Sequence, residues 1–361
     1  MKRVGVLLNS DVLRKNITGA NVFEKGALYI KAARKFDIDV VFFDAAGIRL
    51  RNKQVKGYVP NRHGRLRPRV LAWPKAVHNR ALYFRRGRVS QRRVQRMIRR
   101  GVHVFNPPVR FDKYTIHNML STDETVQPYL PNTVLLHPSN EQWFQYQLES
   151  RGDIYVKPRQ GSLGRGIMRI QSIGGDLYRT HTRKRRYDGT WYDTWRFVLR
   201  YAHPRSLLQV GIDLTTYKGR RFDLRVPVQR GGDGAWTVPG MVAKCAGDVQ
   251  FLTNVARGGT SRNVDEIFSH LFLKQKERAV REDIHRMALA VAERMGEHIP
   301  GLADIGLDIG IEPSGKPYLI EVNRRDLRIT FLQSGDHDIL EQLYENPMAY
   351  GAYLLRKEVT V

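Results

Sequence analysis

A lysine followed by a glycine-rich loop is the first place where residue types and spacing could bind an anion. Lys157 ends the short apolar run 154–157, and Gly-Ser-Leu-Gly-Arg-Gly follows at 161–166. Glycines let the backbone curl so that several N–H groups point at one anion, and the lysine adds a point charge for phosphate oxygens. The spacing is neither that of a P-loop nor that of a dinucleotide fingerprint. It fits a phosphate-binding loop and an ordinary glycine-rich hairpin about equally well.

Three oxygen-bearing side chains further along the sequence could hold a divalent metal ion. Glu321 and Asn323 lie two residues apart in an apolar run, so in a strand they share one face. If the turn 313–317 folds two strands into a hairpin, Asp308 can lie beside them. Such a set suits Mg²⁺ or Mn²⁺, which take carboxylates, water and phosphates. The alternatives are a hairpin with its polar face in solvent, and Asp304 as first ligand, although its distance from Glu321 fits less well.

Two shorter segments add charged and polar groups. Asp223 and Arg225 fall on the polar face of an alternating strand at 222–228. Asn254 precedes a flexible basic loop that ends in two glycines at 258–259. Taken alone, the first segment is more typical of an exposed ion pair and the second of a simple turn.

The first hundred residues predict a small α/β unit. The runs 4–8 and 40–43 are short and rich in β-branched or aromatic side chains, and 21–36 between them has apolar residues at helical spacing. Strand, helix and strand in that order predict a parallel sheet. The segment 51–69, rich in Gly, Pro and basic residues, predicts an exposed loop or hairpin.

A Phe-Asn-Pro-Pro sequence at 105–108 predicts the boundary between two domains. Residues 1–106 are then an N-terminal α/β domain, and 107–361 an α+β domain with a smaller lobe at about 107–205 and a larger lobe at about 206–345. The elements predicted in the second domain are a helix at 113–120, a strand at 154–157, three strands of one sheet at 206–212, 222–228 and 236–245, a helix at 274–298, and paired strands at 304–311 and 318–322.

The charge of the chain is strongly positive. There are 61 Lys and Arg against 35 Asp and Glu, a formal net charge of +26, and eight arginines fall within 85–100. Such a field attracts polyanions. No aromatic-interleaved platform or groove-reading motif accompanies it, so nucleic acid is not expected as the primary ligand. One cysteine excludes an internal disulfide and favours the cytoplasm, and the apolar runs are too short to span a membrane.

Taken in order, these segments resemble the ATP-grasp enzymes, and more closely the YheC/YheD group of ATP-grasp proteins, described as endospore coat-associated. The likeness runs from about Lys113 to Asn323 and is weaker before Asn106. The spacing of 13 residues from Asp308 to Glu321 resembles the metal-ligand spacing of D-alanine–D-alanine ligases. The stretches that carry the likeness are 112–114, 130–133, 155–166, 222–226, 251–259 and 308–323.

The resemblance implies a small pre-ATP-grasp α/β domain followed by a two-lobed ATP-grasp fold that holds ATP and Mg²⁺ (or Mn²⁺) between two sheets. The loop 161–166 would close over the phosphates, and Val210 would contact adenine through its backbone only. The implied nucleotide-binding residues are Lys113, Lys157, Gly161, Ser162, Gly164, Gly166, Gln209, Val210 and Asn254. The implied catalytic residues are Arg225 and Lys157, and the implied metal ligands are Asp308, Glu321 and Asn323.

The reaction implied by the resemblance is amide formation through an acyl phosphate. ATP would phosphorylate a carboxylate, on a small molecule or a peptide, and an amine would then displace the phosphate. Two other hypotheses stay open from the sequence: a non-catalytic nucleotide-binding coat or scaffold protein, and a protein that binds nucleic acid or another polyanion. The basic surface could also serve an acidic acceptor, and association with the spore coat would follow from the same likeness.

One stretch departs from the family pattern. Many relatives continue after the metal ligands with small residues, Lys and Pro-Gly, whereas this chain has Arg-Arg-Asp-Leu-Arg at 324–328. The departure concerns the acceptor pocket more than the ATP site, so the sequence names neither the acid nor the amine.

Overall fold

The structure is a computed structural model that describes residues 2–83, 88–109, 111–161, 164–183, 185–247 and 259–357. In those ranges the helices are α1 (Ser10–Thr18), α2 (Gly26–Lys35), α3 (Arg88–Ile98), α4 (Lys113–Ser121), α5 (Glu141–Arg151), α6 (Trp191–Tyr201), α7 (Val264–Leu271), α8 (Lys274–His298), α9 (Ile329–Ser334) and α10 (His337–Lys357). None of these described helices is long and apolar enough to cross a membrane.

The strands of the described residues form three sheets. They are β1 (Arg3–Leu7), β2 (Asp39–Phe43), β3 (Ile48–Arg49), β4 (Gln54–Pro60), β5 (Leu66–Ala72), β6 (Ala76–Asn79), β7 (His103–Phe105), β8 (Thr133–Leu135), β9 (Asp153–Pro158), β10 (Met168–Gly174), β11 (Leu177–His181), β12 (Arg186–Gly189), β13 (Ser206–Val210), β14 (Thr216–Tyr217), β15 (Arg220–Arg230), β16 (Trp236–Thr237), β17 (Val242–Cys245), β18 (Thr260–Asn263), β19 (Asp304–Ile311) and β20 (Pro317–Asn323).

The first sheet has the order β3-β4-β2-β1-β6-β7, with β5 paired to β4. Strands β1, β2, β6 and β7 run parallel, with Val4 opposite both Val40 and Ala76. The predicted parallel sheet is therefore confirmed. The segment predicted as a loop or hairpin forms the antiparallel hairpin β4–β5.

The second sheet is antiparallel, in the order β12-β11-β10-β9-β13-β8. Helices α5 and α6 cover it through Phe144, Leu148 and Trp195. The prediction that the run starting at Ser206 shares a sheet with 222–228 is wrong, because β13 pairs with β9 and β8 instead. Every residue of β13 is buried, and a strand buried on both faces has no alternation that would indicate its partner.

The third sheet has the order β18-β17-β15-β19-β20, and β14 and β16 also pair with β15. Helix α8 packs on it through Met287, Val291 and Met295, which face the core at helical spacing. The predicted helix 274–298 and the predicted hairpin of 304–311 with 318–322 are both confirmed. This hairpin carries the acidic residues that the sequence singles out.

The last helix, α10, packs on the first sheet, although it follows the third sheet in the chain. Leu343 and Met348 of α10 pack in one core with Val4 and Tyr29. At the crossing, a Cβ added to Gly351 would lie 2.7 Å from a Val4 methyl, so only glycine allows this close approach. The C-terminal segment thereby joins the first sheet to the third.

A cluster of buried charged residues lies between the first and third sheets. Arg80 donates to both oxygens of Glu24 at 3.1 Å and, through Nη1, to Asp304 at 2.8 Å. Arg328 donates to Glu24 at 2.9 Å and to the Tyr29 hydroxyl at 3.0 Å. The most exposed of these five residues is only 1% exposed. Asp304 therefore forms ion pairs within this cluster. This leaves Asp308, and not the alternative Asp304, as the candidate first metal ligand.

The surroundings of the cluster shift its titrations. Burial alone would raise the pKa of Glu24, but Arg80 and Arg328 outweigh it and lower that pKa to about 2. Burial lowers the pKa of the His78 imidazole, which contacts Asp304, to about 4. Below about pH 4.5, the ordinary Glu pKa, the stabilisation from Glu24 is lost progressively as the pH approaches 2.

We expect Glu24→Gln to lower the free energy of unfolding by about 3–5 kcal/mol, because breaking a buried pair leaves Arg80 and Arg328 without their shared counter-charge. Urea unfolding at neutral pH measures the loss. The matched control is Glu124→Gln, at an exposed position, with an expected change below about 0.5 kcal/mol. Equal free energies of unfolding for the two variants would show that the cluster does not hold the first and third sheets together.

Candidate functional site

A cavity of about 440 Å³ lies between the second and third sheets. Its size is that of a small-molecule pocket. Helix α4 forms one wall with apolar side chains, and the two sheets contribute both apolar and polar groups. The residues that matter for its chemistry are Lys113, Thr133, Lys157, Gly161, Gln209, Leu319, Glu321, Asn323 and Arg324.

Lys157 projects into the cavity from β9, opposite Leu207 of β13. Its ammonium group donates to the Gln209 side-chain carbonyl, and the Gln209 amide donates to the Thr133 hydroxyl at 3.0 Å. Burial lowers the pKa of Lys157 to about 8; Glu321 opposes this shift, and Lys113 adds to it. A lysine held at such a pKa gains a strong partner when an anion enters the cavity.

The structure describes three glycines of the loop after β9. Their φ values are 139° for Gly161, 60° for Gly164 and 74° for Gly166. Residues other than glycine rarely adopt positive φ angles of this size. The Gly161 carbonyl accepts from the Lys113 ammonium at 3.0 Å, which ties the loop to α4. Ser162, also predicted in this loop, lies outside the described residues.

The three predicted metal ligands meet on the β19–β20 hairpin. Asp308 is paired with Glu321, and a bulge follows directly, so that Ile309 pairs with Leu319. The Asn323 amide donates to Asp308 Oδ2 at 3.1 Å. Glu321 Oε1 lies 3.0 Å from the Lys113 ammonium. The hairpin therefore brings two carboxylates and an amide together. Glu321 and Asn323 line the cavity, whereas Asp308 does not and contacts Asn323 instead.

Two cations share the other oxygen of Asp308. Arg225 Nε lies 2.8 Å and Lys244 Nζ 2.9 Å from Asp308 Oδ1. Arg225 also reaches Asp326 Oδ1 at 3.0 Å, and Lys244 lies 2.7 Å from Asp223. Burial alone would raise the pKa of Asp308, but these two cations hold it well below its usual range. Asp308 is therefore a carboxylate throughout the physiological range.

This arrangement differs from the exposed ion pair that the sequence favours for Asp223 and Arg225. The two side chains share a face of β15, but each pairs with a neighbouring element: Asp223 with Lys244 of β17, and Arg225 with Asp308 of β19. All four side chains are at most 13% exposed. Arg225 is fixed in place before any ligand is bound.

The donor set at the hairpin fits Mg²⁺. In the described residues no group of three His, Cys, Asp or Glu could hold a metal by itself. Two carboxylates and an amide oxygen are instead a partial set, and Mg²⁺ commonly completes such a set with waters and substrate phosphates. Because amide O and N are assigned from hydrogen bonding, Asn323 can present its oxygen once a cation replaces its present contact. Asp308 and Glu321 would supply the negative charge.

Two predicted nucleotide contacts are not part of this arrangement. Val210 follows Gln209 in β13, but its N–H donates to the Asn132 carbonyl at 2.9 Å and its side chain is buried away from the cavity lining. A backbone contact to a ligand would therefore have to come from its carbonyl group. Asn254 lies outside the described residues. Both assignments remain predictions.

Sequence reasoning missed Lys244 and Asp326. Lys244 is the single charged residue of the apolar strand β17, which is a signal for a buried ion pair that the sequence did contain. Its partner Asp223 lies directly opposite it in the β15–β17 register, which no local pattern indicates. Asp326 lies in the departure at 324–328, and only the folded chain brings it to Arg225.

Comparison with known proteins gives a consistent result. A family model described as YheC/D like ATP-grasp matches residues 101–354. The endospore coat-associated protein YheD of Bacillus subtilis (strain 168) is 28% identical over 258 residues, which are 69% of this chain and 56% of YheD. The matched part thus spans little more than half of the length of that relative.

Solved structures resemble the whole chain. D-cycloserine synthetase DcsG has a TM-score of 0.53 at 13% identity and covers 98% of this chain and 99% of its own. The ATP-grasp ligase PsnB, complexed with minimal precursor, Mg and ADP, has a TM-score of 0.50 at 13% identity and covers 92% of both chains. At such identities the likeness shows the fold alone, and the fold is that of ATP-grasp enzymes.

The pKa of Lys157 makes a prediction for phosphate binding. Since that pKa is lowered to about 8, the side chain is an ammonium below this pH and neutral above it. The affinity for ADP with Mg²⁺ should therefore be constant below about pH 8 and fall above it by up to about tenfold per pH unit. Calorimetric titration from pH 7 to about pH 10 measures the fall.

The matched variant is Lys157→Arg, which stays charged over this range. Between pH 8 and 10, the ADP affinity of this variant should fall much less than that of the wild type, because its guanidinium group does not titrate in this range. The same steep fall in wild type and variant would assign the titration to another group and contradict a phosphate-binding role for Lys157.

Proposed function

This chain belongs to the YheC/D-like ATP-grasp family, and we propose that it is an ATP- and Mg²⁺-dependent ligase that joins a carboxylic acid to an amine. The observation that carries the proposal is that two lysines line one cavity together with the oxygen donors Glu321 and Asn323, and that Asp308 contacts Asn323. Lys113 and Lys157 supply positive charge, and Asp308, Glu321 and Asn323 supply oxygens. Few ligands other than a metal–polyphosphate complex need both.

The second sheet and α4 would hold the nucleotide. Lys157, Lys113 and the glycines at 161, 164 and 166 would hold its phosphates, through lysine charge and backbone N–H groups. The apolar wall that includes Leu319, together with Gln209, would hold the base. The hydrogen bond that Lys157 now makes to Gln209 would be exchanged for one to a phosphate oxygen.

Mg²⁺, when bound at Asp308, Glu321 and Asn323, would neutralise charge on the phosphates. The residues of the protein would orient the reacting groups. Arg225 and Lys244 are held by Asp308, Asp326 and Asp223, and their positive charge would stabilise the negative charge that the transferred phosphoryl group gains. Positioning and charge stabilisation of this kind supply most of the catalysis in phosphoryl transfer.

The proposed chemistry has two balanced steps. A carboxylate oxygen of the acid attacks the γ-phosphorus of ATP, the bond to the β-phosphate oxygen breaks, and ADP leaves with an acyl phosphate formed. The amine nitrogen then attacks the acyl carbon, the carbon–oxygen bond to phosphate breaks, and the amine loses a proton. The products are an amide, ADP and phosphate, and no nucleophile from the protein is required.

The relatives bear on where this reaction takes place. YheD carries the description endospore coat-associated. We place the ligase in the cytoplasm of a sporulating cell or on its spore coat, with an acidic or otherwise anionic acceptor suited to the charge of +26.

Glu321→Gln tests the ligase directly. ADP release from ATP and Mg²⁺ is measured with a panel of amino acids as acids and hydroxylamine as the amine, which also traps acyl phosphates as hydroxamates. The variant should lose at least about tenfold of the wild-type rate, because an amide in place of a carboxylate weakens the charge stabilisation at the metal.

The control for this experiment is Glu312→Gln in the turn of the same hairpin, outside the lining of this cavity. It should release ADP at the wild-type rate. Wild-type turnover in Glu321→Gln would contradict the assignment of the metal ligands, and an inactive Glu312→Gln would mean that the hairpin itself had been disturbed.

A further inference from the structure

Two arginines of the departing segment 324–328 are left without a role by the contacts described so far. Arg328 belongs to the buried cluster, and Asp326 holds Arg225. Arg324 and Arg325, however, form no hydrogen bond or ion pair with any residue in the described ranges. They lie directly after Asn323, the last residue of the proposed metal set.

Among the described residues, no counter-charge contacts the buried Arg325. Its residue is 8% exposed, and its Nε is fully enclosed with no hydrogen-bond acceptor. A protein rarely keeps such a group unless something pairs with it, because an unpaired buried charge is costly.

Arg324 links this group to the cavity. It lines the cavity together with Tyr83 and lies 5.6 Å over the Tyr83 ring. Arg325 is the next residue in the chain and does not itself line the cavity. The Tyr83 hydroxyl donates to Asn79 at 3.0 Å and is thereby fixed on the first sheet. We call these three residues the arginine corner.

Resting on the proposed ligase activity, we propose that the arginine corner binds a second anionic group of the acid substrate. The substrate is then a small acid with two anionic ends: one carboxylate reaches the phosphoryl group near Arg225, and the other end, a carboxylate or a phosphate, pairs with Arg324 and Arg325. Guanidinium groups recognise both kinds of anion through paired N–H donors. The missing counter-charge of Arg325 would come with the substrate.

The test uses three acids of equal chain length as probes: pentanoate, glutarate and 4-phosphonobutyrate. They share one carboxylate and differ at the far end, which is a methyl group, a carboxylate or a phosphonate. Thermal stabilisation of the full chain by each acid is measured with saturating MgADP. Glutarate or 4-phosphonobutyrate should stabilise the wild type at concentrations at least about tenfold below those of pentanoate, and the better of the two identifies the second anion.

Two variants assign the effect to the corner. Arg324→Met and Arg325→Met should lose the preference for the two dianionic acids while both keep the stabilisation by MgADP. Arg325→Met should also unfold at the wild-type temperature or above, because it removes an unpaired buried charge. The exposed Arg200→Met on α6 is the control and should behave as wild type in every respect.

The outcomes separate this inference from the proposed function. If MgADP stabilises the wild type but the three acids act equally, or if Arg324→Met and Arg325→Met keep the wild-type preference, the arginine corner does not bind the substrate. If MgADP itself does not stabilise the wild type, the result contradicts the proposed ligase activity and not only the role of the arginine corner.

Discussion

Arg225 is held by two carboxylates at once, and the geometry of the whole site depends on that double contact. Asp308 belongs to the metal hairpin and lies 2.8 Å from Nε, whereas Asp326 lies 3.0 Å from Nη1. Asp326 is itself fixed from the first sheet, since its backbone carbonyl accepts a hydrogen bond from Arg80. Arg225 is therefore positioned from the first and the third sheet, and a shift of either would move it.

The buried charges explain why the chain turns as it does after β20. Arg328 adopts φ of 56°, a left-handed conformation that costs a non-glycine residue on the order of 1 kcal/mol. Its guanidinium lies 4.0 Å from the centre of the Tyr344 ring and 5.2 Å from that of Tyr29, and it bonds to Glu24. These contacts offset the strain and hold the segment 324–328 in place between the first and third sheets. Buried ion pairs contribute modestly to net stability but specify one arrangement well.

Much of this architecture could be predicted from local patterns. The parallel first sheet, α8 and the β19–β20 hairpin each follow from apolar spacing and turn residues, and the pairing of Asp308 with Glu321 follows from the hairpin. The partner of β13, the return of α10 to the first sheet and the pairing of Lys244 with Asp223 could not be predicted. They join residues that are distant in sequence, and a buried apolar strand or helix fits many partners equally well until the chain is folded.

The most direct measurement of nucleotide use is thermal stabilisation by a non-hydrolysable ATP analogue, with and without Mg²⁺, in wild type and Lys157→Ala. A ligand that binds only the native state raises its stability by mass action. The wild type should show a shift that depends on Mg²⁺, and Lys157→Ala should lose it while unfolding at a similar temperature without ligand. Absence of any shift in the wild type at millimolar nucleotide would contradict an ATP site in this cavity and with it the ligase.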